Sequence, residues 1–273
     1  MIHKVFGSLL FGAMLSLFQG CAASTQDIVV EEIHRDPLSI EDLTFMDAAH
    51  ASPLSKYEYS DLYFQDANEQ IWIWSHNHEG SRDRKWLRFI WPEQAIGMQF
   101  VGAAHAIHSQ FRAEANFSDM YFEEDGVIYV WAASVGSPYP QTRRWLQLTW
   151  PELAQGMKFV AAAHAAPESF AEYSDLYFED DEGEIWAWAY QVPELPRFDG
   201  TQLRQWLHVI RPEAAQDMQF VGAAHSLHSG LLGRPEYTDL YFKAESGELW
   251  VWVFESRDGD KQVRIWQRVD LPH

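Results

Sequence analysis

The stretch FVGAAH at 100–105 decides the fold, because it is not alone. FMDAAH stands at 45–50, FVAAAH at 159–164 and a second FVGAAH at 220–225. A phrase that returns at steps of roughly sixty residues marks a repeat architecture. Working outward from each copy, a second phrase follows in the same order: YSDLYF at 59–64, FSDMYF at 117–122, YSDLYF at 173–178 and YTDLYF at 237–242. A third comes next, IWIW at 71–74, IYVW at 128–131, IWAW at 185–188 and LWVW at 249–252. The last is KWLRFIWP at 85–92, RWLQLTWP at 144–151, QWLHVIRP at 205–212 and IWQRVDLP at 265–272. All 13 tryptophans fall inside these recurring phrases, so the aromatic content belongs to the repeat and not to scattered core positions.

Each module therefore holds four short runs of aromatic and β-branched residues. Turn residues part them: Asn68-Glu69, Asp125-Gly126, Glu182-Gly183 and Ser246-Gly247. The second and third runs alternate with period two, the pattern of half-buried strands. Four strands per module, repeated four times, predict an all-β fold, a four-bladed β-propeller. The blades are expected at about 45–91, 100–150, 159–211 and 220–273. Between modules WPEQAIGM (91–98), WPELAQGM (150–157) and RPEAAQDM (211–218) predict a short helix with Pro at its first position. DPLSIEDLTFM from Asp36 fits the same frame, so the folded domain is expected to span 37–273, with 21–36 a linker or a strand that helps close the ring.

The beginning of the chain reads differently. Lys4 precedes the apolar run VFGSLLFGAMLSLF and then Gly20-Cys21-Ala22-Ala23. Residues 1–20 read as a secretion signal, too short for a membrane-spanning helix. The segment resembles a bacterial lipoprotein signal, with Phe18 where Leu is usual. That resemblance implies lipidation of Cys21, the chain's single cysteine, and a membrane anchor through it. An exported protein anchored at the outer membrane, facing the periplasm or the exterior, is the expectation, and no disulfide can form within the chain. A formal charge of −20 argues against a nucleic-acid partner, whose phosphates would be repelled.

The order Asp47-Ala48-Ala49, Tyr63-Phe64, Trp72 and Trp91-Pro92 resembles the hemopexin-like four-bladed propeller, from Pro37 to the C-terminus. That resemblance implies binding roles: protein docking, a cation held in the axial channel by backbone carbonyls, or haem. Two features depart from the family. Gly102, Ala161 and Gly222 stand where the first module has Asp47, and the family's frequent disulfide between first and last blades cannot be made.

The chemistry-bearing candidates recur with the repeat. His50, His105, His164 and His225 end the first run of every module. If that run is the innermost strand, four imidazoles surround the axis and could hold Zn, Cu or Ni. The alternative is structural. Each module carries Ser60-Asp61, Ser118-Asp119, Ser174-Asp175 or Thr238-Asp239 and a later Trp74, Trp131, Trp188 or Trp252. WD-repeat propellers rivet their blades with a network of similar makeup, so each His could bond its own Asp. Both can hold at once, since an Asp behind a ligating imidazole fixes its tautomer. Modules two and four add His108 and His228, which face each other in a ring and could complete an octahedral site or grip haem. Arg84, Arg143 or Arg144, Arg204 and Arg264 recur in an Arg-x-Trp pattern, expected to pair with a carboxylate or stack on Trp.

No nucleophile elbow, His-Glu-x-x-His or phosphate loop is present, so a non-catalytic binding protein is the first expectation. A structural or protein-docking propeller, a lectin using the aromatic rings to bind glycan, and a metalloenzyme at the same histidines stand as alternatives.

Overall fold

A computed structural model describes residues 30–33, 39–50, 60–76, 84–105, 118–135, 141–148, 150–164, 174–190, 204–225, 238–257 and 261–271. Among the described residues seventeen strands form four antiparallel sheets, one per module. Blade one holds β2 (Thr44–His50), β3 (Ser60–Gln65), β4 (Ile71–His76) and β5 (Arg84–Phe89), and blade two β6 (Gln99–His105), β7 (Ser118–Glu124), β8 (Val127–Val135) and β9 (Gln141–Leu148). Blade three holds β10 (Lys158–His164), β11 (Ser174–Glu179), β12 (Ile185–Tyr190) and β13 (Arg204–Val209). Blade four holds β14 (Gln219–His225), β15 (Thr238–Lys243), β16 (Leu249–Arg257) and β17 (Lys261–Arg268). The first strands pack in a closed ring, β2 on β6, β6 on β10, β10 on β14 and β14 back on β2. The fold is a four-bladed β-propeller.

Alternation places the core between blades. In β4 and β12 every second residue is buried on one side, while the intervening Trp72, Trp74, Trp186 and Trp188 are half-buried on the other. Four apolar clusters result, one per junction. At the first, Ile71, Ile73 and Phe89 of blade one meet Phe100, Phe122 and Trp131 of blade two. At the last, Val221, Tyr241 and Val251 of blade four meet Phe45, Leu62 and Phe64 of blade one. Each fully buried aromatic removes enough apolar surface from water to stabilise the ring by about 1.5–3 kcal/mol, so the ring closes by packing, without a disulfide.

Three details depart from expectation. The inter-blade segments are single 3-10 turns, Glu93–Ala95, Glu152–Ala154 and Glu213–Ala215, and Pro stands just before each as its cap, one place earlier than predicted. Gly or Asp and then the next strand follow too soon for a second turn. The corresponding turn before blade one is Ile40–Asp42, capped by Ser39 and set closer to its strand than the other three; Pro37 lies outside the described residues. The segment Val30–Ile33 is a strand, β1, yet it does not sit at the seam between blades four and one. It pairs with β5 on the outer edge of blade one, tied by Glu31 to Arg88 and Glu32 to Lys85.

Candidate functional site

Chain direction defines two faces. The first strand of each blade starts on the lower face, where the 3-10 turns and the hairpins between second and third strands lie, and ends on the upper face at His50, His105, His164 or His225. These four residues hold one register, opposite Ser60, Ser118, Ser174 and Thr238 respectively. The backbone thus brings all four to one level around the upper mouth. Their imidazoles lie outside the described residues, as do His108, His228 and Cys21. Among the described residues no group of three or more His, Cys, Asp or Glu side chains is placed to hold a metal.

Among the described residues the ladder of the outer hairpin reaches His76↔Arg84 in blade one and Tyr190↔Arg204 in blade three. Blade two continues to Val135↔Gln141 and blade four to Arg257↔Lys261.

The Ser/Thr-Asp-x-Tyr phrase resolves into two kinds of bond. Its aspartates are buried, and each caps the third strand of its own blade. Asp61 Oδ1 accepts from the His76 N–H at 2.9 Å, Asp119 from Ala133 at 2.7 Å, Asp175 from Tyr190 at 2.8 Å and Asp239 from Phe254 at 2.8 Å. Burial pushes the Asp61 carboxyl up to about 6, against the pull of that N–H, the Ser75 hydroxyl and the Arg84 charge. The tyrosines reach into the next blade. Tyr121 shares a hydrogen bond with Ser174 at 2.6 Å, Tyr177 donates to Thr238 at 2.9 Å, and Tyr241 shares one with Ser60 at 3.1 Å, which joins blade four to blade one. Tyr63 lies beside Ser118, but its hydroxyl completes no bond of ordinary geometry.

The recurrent arginines serve the backbone. Arg84 donates to the carbonyls of Ser60 and Trp74, Arg143 to Ser118 and Trp131, Arg204 to Ser174 and Trp188, and Arg264 to Thr238 and Trp252. The expected stacking on Trp is present as well: Arg143 lies 4.7 Å over Trp131 and Arg264 4.8 Å over Trp252. Arg143 rather than Arg144 is the repeat member, 4% exposed, and burial lowers its guanidinium to about 10.

The axis itself carries one carboxylate. A β-bulge recurs in every inner strand, just before Asp47, Gly102, Ala161 and Gly222. Asp47 is 0% exposed and its Oδ2 accepts from the Ala103 N–H at 2.9 Å. The glycines of both flanking blades make room for it. A Cβ on Gly102 would lie 2.6 Å from Oδ2, and one on Gly222 2.6 Å from Oδ1. Oδ1 completes no hydrogen bond among the described residues. Burial raises this carboxyl well above the carboxylate range, although the N–H groups of Ala103, Ala48 and Ala223 draw it down. Sequence reasoning saw Asp47 only as a departure from its repeat; the matching signal was the pair of glycines at the same position of blades two and four.

No protein-family model matches the chain, and no curated protein does. Among solved structures, the β-propeller domain of Cps50 (Swd1) from Myceliophteria thermophila is similar at 10% identity and a TM-score of 0.31. The match covers 80% of this chain and 56% of that one, so this chain spans little more than half of its length.

Proposed function

We propose that the chain is an exported, hemopexin-like binding propeller, tethered through a lipid on Cys21, which takes its ligand at the upper mouth without catalysis. The observation that carries this reading is the build of that mouth. Four inner strands end on histidine at one level around the axis. Within blades Asp and Arg bond the strands, and between them Tyr meets Ser or Thr. These bonds hold the ring whether or not an imidazole adds to them, which favours a ligand role for the histidines over a purely riveting one. Neutral imidazole nitrogen suits Zn, Cu or Ni, and His50, His105, His164 and His225 would hold such an ion. A planar haem, gripped by His108 and His228 across the mouth, is the other ligand of the same donor chemistry.

The test is metal analysis and titration of protein purified without a histidine tag. Stoichiometric Zn, Cu, Ni or hemin is expected, and it should be lost in His105→Ala/His225→Ala. Absence of uptake, or uptake unchanged in that variant, would refute the reading. If the variant instead loses thermal stability with no ligand ever bound, the histidines are rivets and the molecule is a docking propeller.

A further inference from the structure

On the lower face, between blades two and three, lies an open groove of about 670 Å³. Glu123 and Gly126 of the β7–β8 hairpin, Trp150 and Met157 of the connection to blade three, and Lys158 line it. The repeat provides its own comparison one junction further on. There Arg211 stands where Trp150 stands here, and its guanidinium is surrounded by acceptors. It donates to Glu179 Oε1 at 2.7 Å and to the carbonyls of Gly183 at 2.6 Å, Met218 at 2.7 Å and Ala215 at 3.3 Å. The ion pair is largely shielded, with side chains 14% and 17% exposed.

Every one of those acceptors has a counterpart at the groove: Glu123 for Glu179, Gly126 for Gly183, Ala154 for Ala215 and Met157 for Met218. The blade-two hairpin is one residue shorter, and its Gly126 N–H bonds Glu123 Oε1 at 2.5 Å where Gly183 N–H bonds Asp180 O, but the turn glycine and the connection to the next blade keep their geometry. Gly126 and Gly183 share a left-handed conformation, φ 77° and 79°. The turn bonds Ala154 N–H to Pro151 O and Ala215 N–H to Pro212 O are both 2.9 Å, and Met157 and Met218 bond back to those alanines at 3.0 and 3.1 Å. What differs is the occupant. The Trp150 ring rests on Phe178 at 5.4 Å, much as Arg211 rests over Phe242 at 5.7 Å. An indole has one N–H to offer where a guanidinium has five, so the acceptors outnumber the donor. At the junction of blades one and two the carboxylate position is Gln65, so the combination of acid, carbonyls and half-buried indole belongs to this groove.

We infer that this groove receives a guanidinium from outside, an arginine side chain of a partner protein. Glu123 and the carbonyls of Gly126 and Met157 would take its N–H groups, and Trp150 would offer a cation–π face. A net charge of −20 draws a basic partner in. Lys158 on the rim opposes it, since it makes no ion pair among the described residues that would cancel its charge. The inference does not depend on the upper mouth, which lies on the opposite face.

The test is calorimetric titration of the full chain with N-acetyl-arginine amide, and with the citrulline amide as an uncharged isostere. Saturable binding in the millimolar range or tighter is expected, weakened about tenfold or more by the citrulline exchange and by Glu123→Gln. It should weaken with salt and strengthen in Lys158→Ala. Trp150→Arg, which installs the cation of the next junction, should fold and no longer bind the probe. Equal binding of the two amides, undiminished binding by Glu123→Gln, or no saturable binding overturns the inference. Should Trp150→Arg fail to fold, the citrulline and Glu123→Gln measurements decide.

Discussion

Gly222→Ala tests the axis most directly. The added methyl would sit 2.6 Å from Asp47 Oδ1, while the next nearest atoms, Asp47 Cα and Ala48 N, stay at ordinary contact distances of 3.5 and 3.6 Å. Only the carboxylate stands in its way. Gly222 is not among the residues of positive φ, so the exchange carries no backbone penalty, whereas Gly102 at φ 157° would mix strain with contact. Blade three supplies an internal control, for Ala161 holds a methyl at the same bulged position and is fully buried. Asp47 has little freedom to retreat, because Oδ2 is bonded to Ala103 and pressed close to Gly102.

Overpacking of a tight interior costs about 1–3 kcal/mol. At roughly 2–4 °C per kcal/mol for a chain of this size, Gly222→Ala should lower Tm by about 5 °C. Asp47→Ala removes the obstacle, so Gly222→Ala made in that background should cost about 0.5 kcal/mol or less. The coupling between the two sites would then nearly equal the single-variant cost. Thermal and urea denaturation followed by tryptophan fluorescence measure all four corners of the cycle. Costs that simply add, or a Gly222→Ala chain as stable as the parent, would show that the carboxylate does not occupy the space between the flanking blades.

Three further outcomes follow from the same geometry. Tyr121→Phe should cost about 1 kcal/mol by losing its bond to Ser174, while Tyr63→Phe, whose hydroxyl completes no such bond, should cost nothing or stabilise; urea midpoints compare the two. Arg143→Met should destabilise by roughly 3–5 kcal/mol, because it leaves the buried Asp119 charge and the carbonyls of Trp131 and Ser118 without their cation, whereas Arg88→Met on the exposed edge should stay within about 0.5 kcal/mol; chemical denaturation reads both. Asp47 keeps its proton in the fold after the unfolded chain has lost its own, so its contribution to stability is full below the ordinary carboxylate range and is lost as pH rises toward the raised folded value. Asp47→Asn should abolish that decline above the ordinary carboxylate range, seen as a flatter series of urea midpoints against pH.

The number of blades, the strands within them and their order were legible because each strand is written in aromatic and β-branched residues with a period of two. The partners of the most regular phrase were not. Tyr121 and Ser174 stand 53 residues apart and Tyr241 and Ser60 181 apart, yet each pair is in contact. Nothing in the phrase tells whether its Ser meets its own Tyr or that of a neighbour, and the analogy with WD repeats turned attention to bonds inside one blade. The arginines were hard to assign for a different reason. Their main acceptors are carbonyl oxygens, which every residue carries and no sequence pattern marks. The short helical turns between blades were legible from Pro and Glu, but Pro proved to be the residue before the turn and not its first, because both places suit its fixed φ.

The alternation of blades has two origins that should be kept apart. Gly102 and Gly222 pair blades two and four, but packing alone requires that. A single carboxylate at the axis turns one oxygen toward each flanking blade, and only the opposite blade is free to carry a methyl, as Ala161 does. The hairpins have no such excuse. Asp66 bonds Trp72 in blade one and Asp180 bonds Trp186 in blade three, while blade two has a tighter turn and blade four has Ala244 in place of the acid. These contacts lie on the lower face, in the hairpins between second and third strands, and neither aspartate bonds Asp47, so they are the trait that speaks for doubling of a two-blade unit.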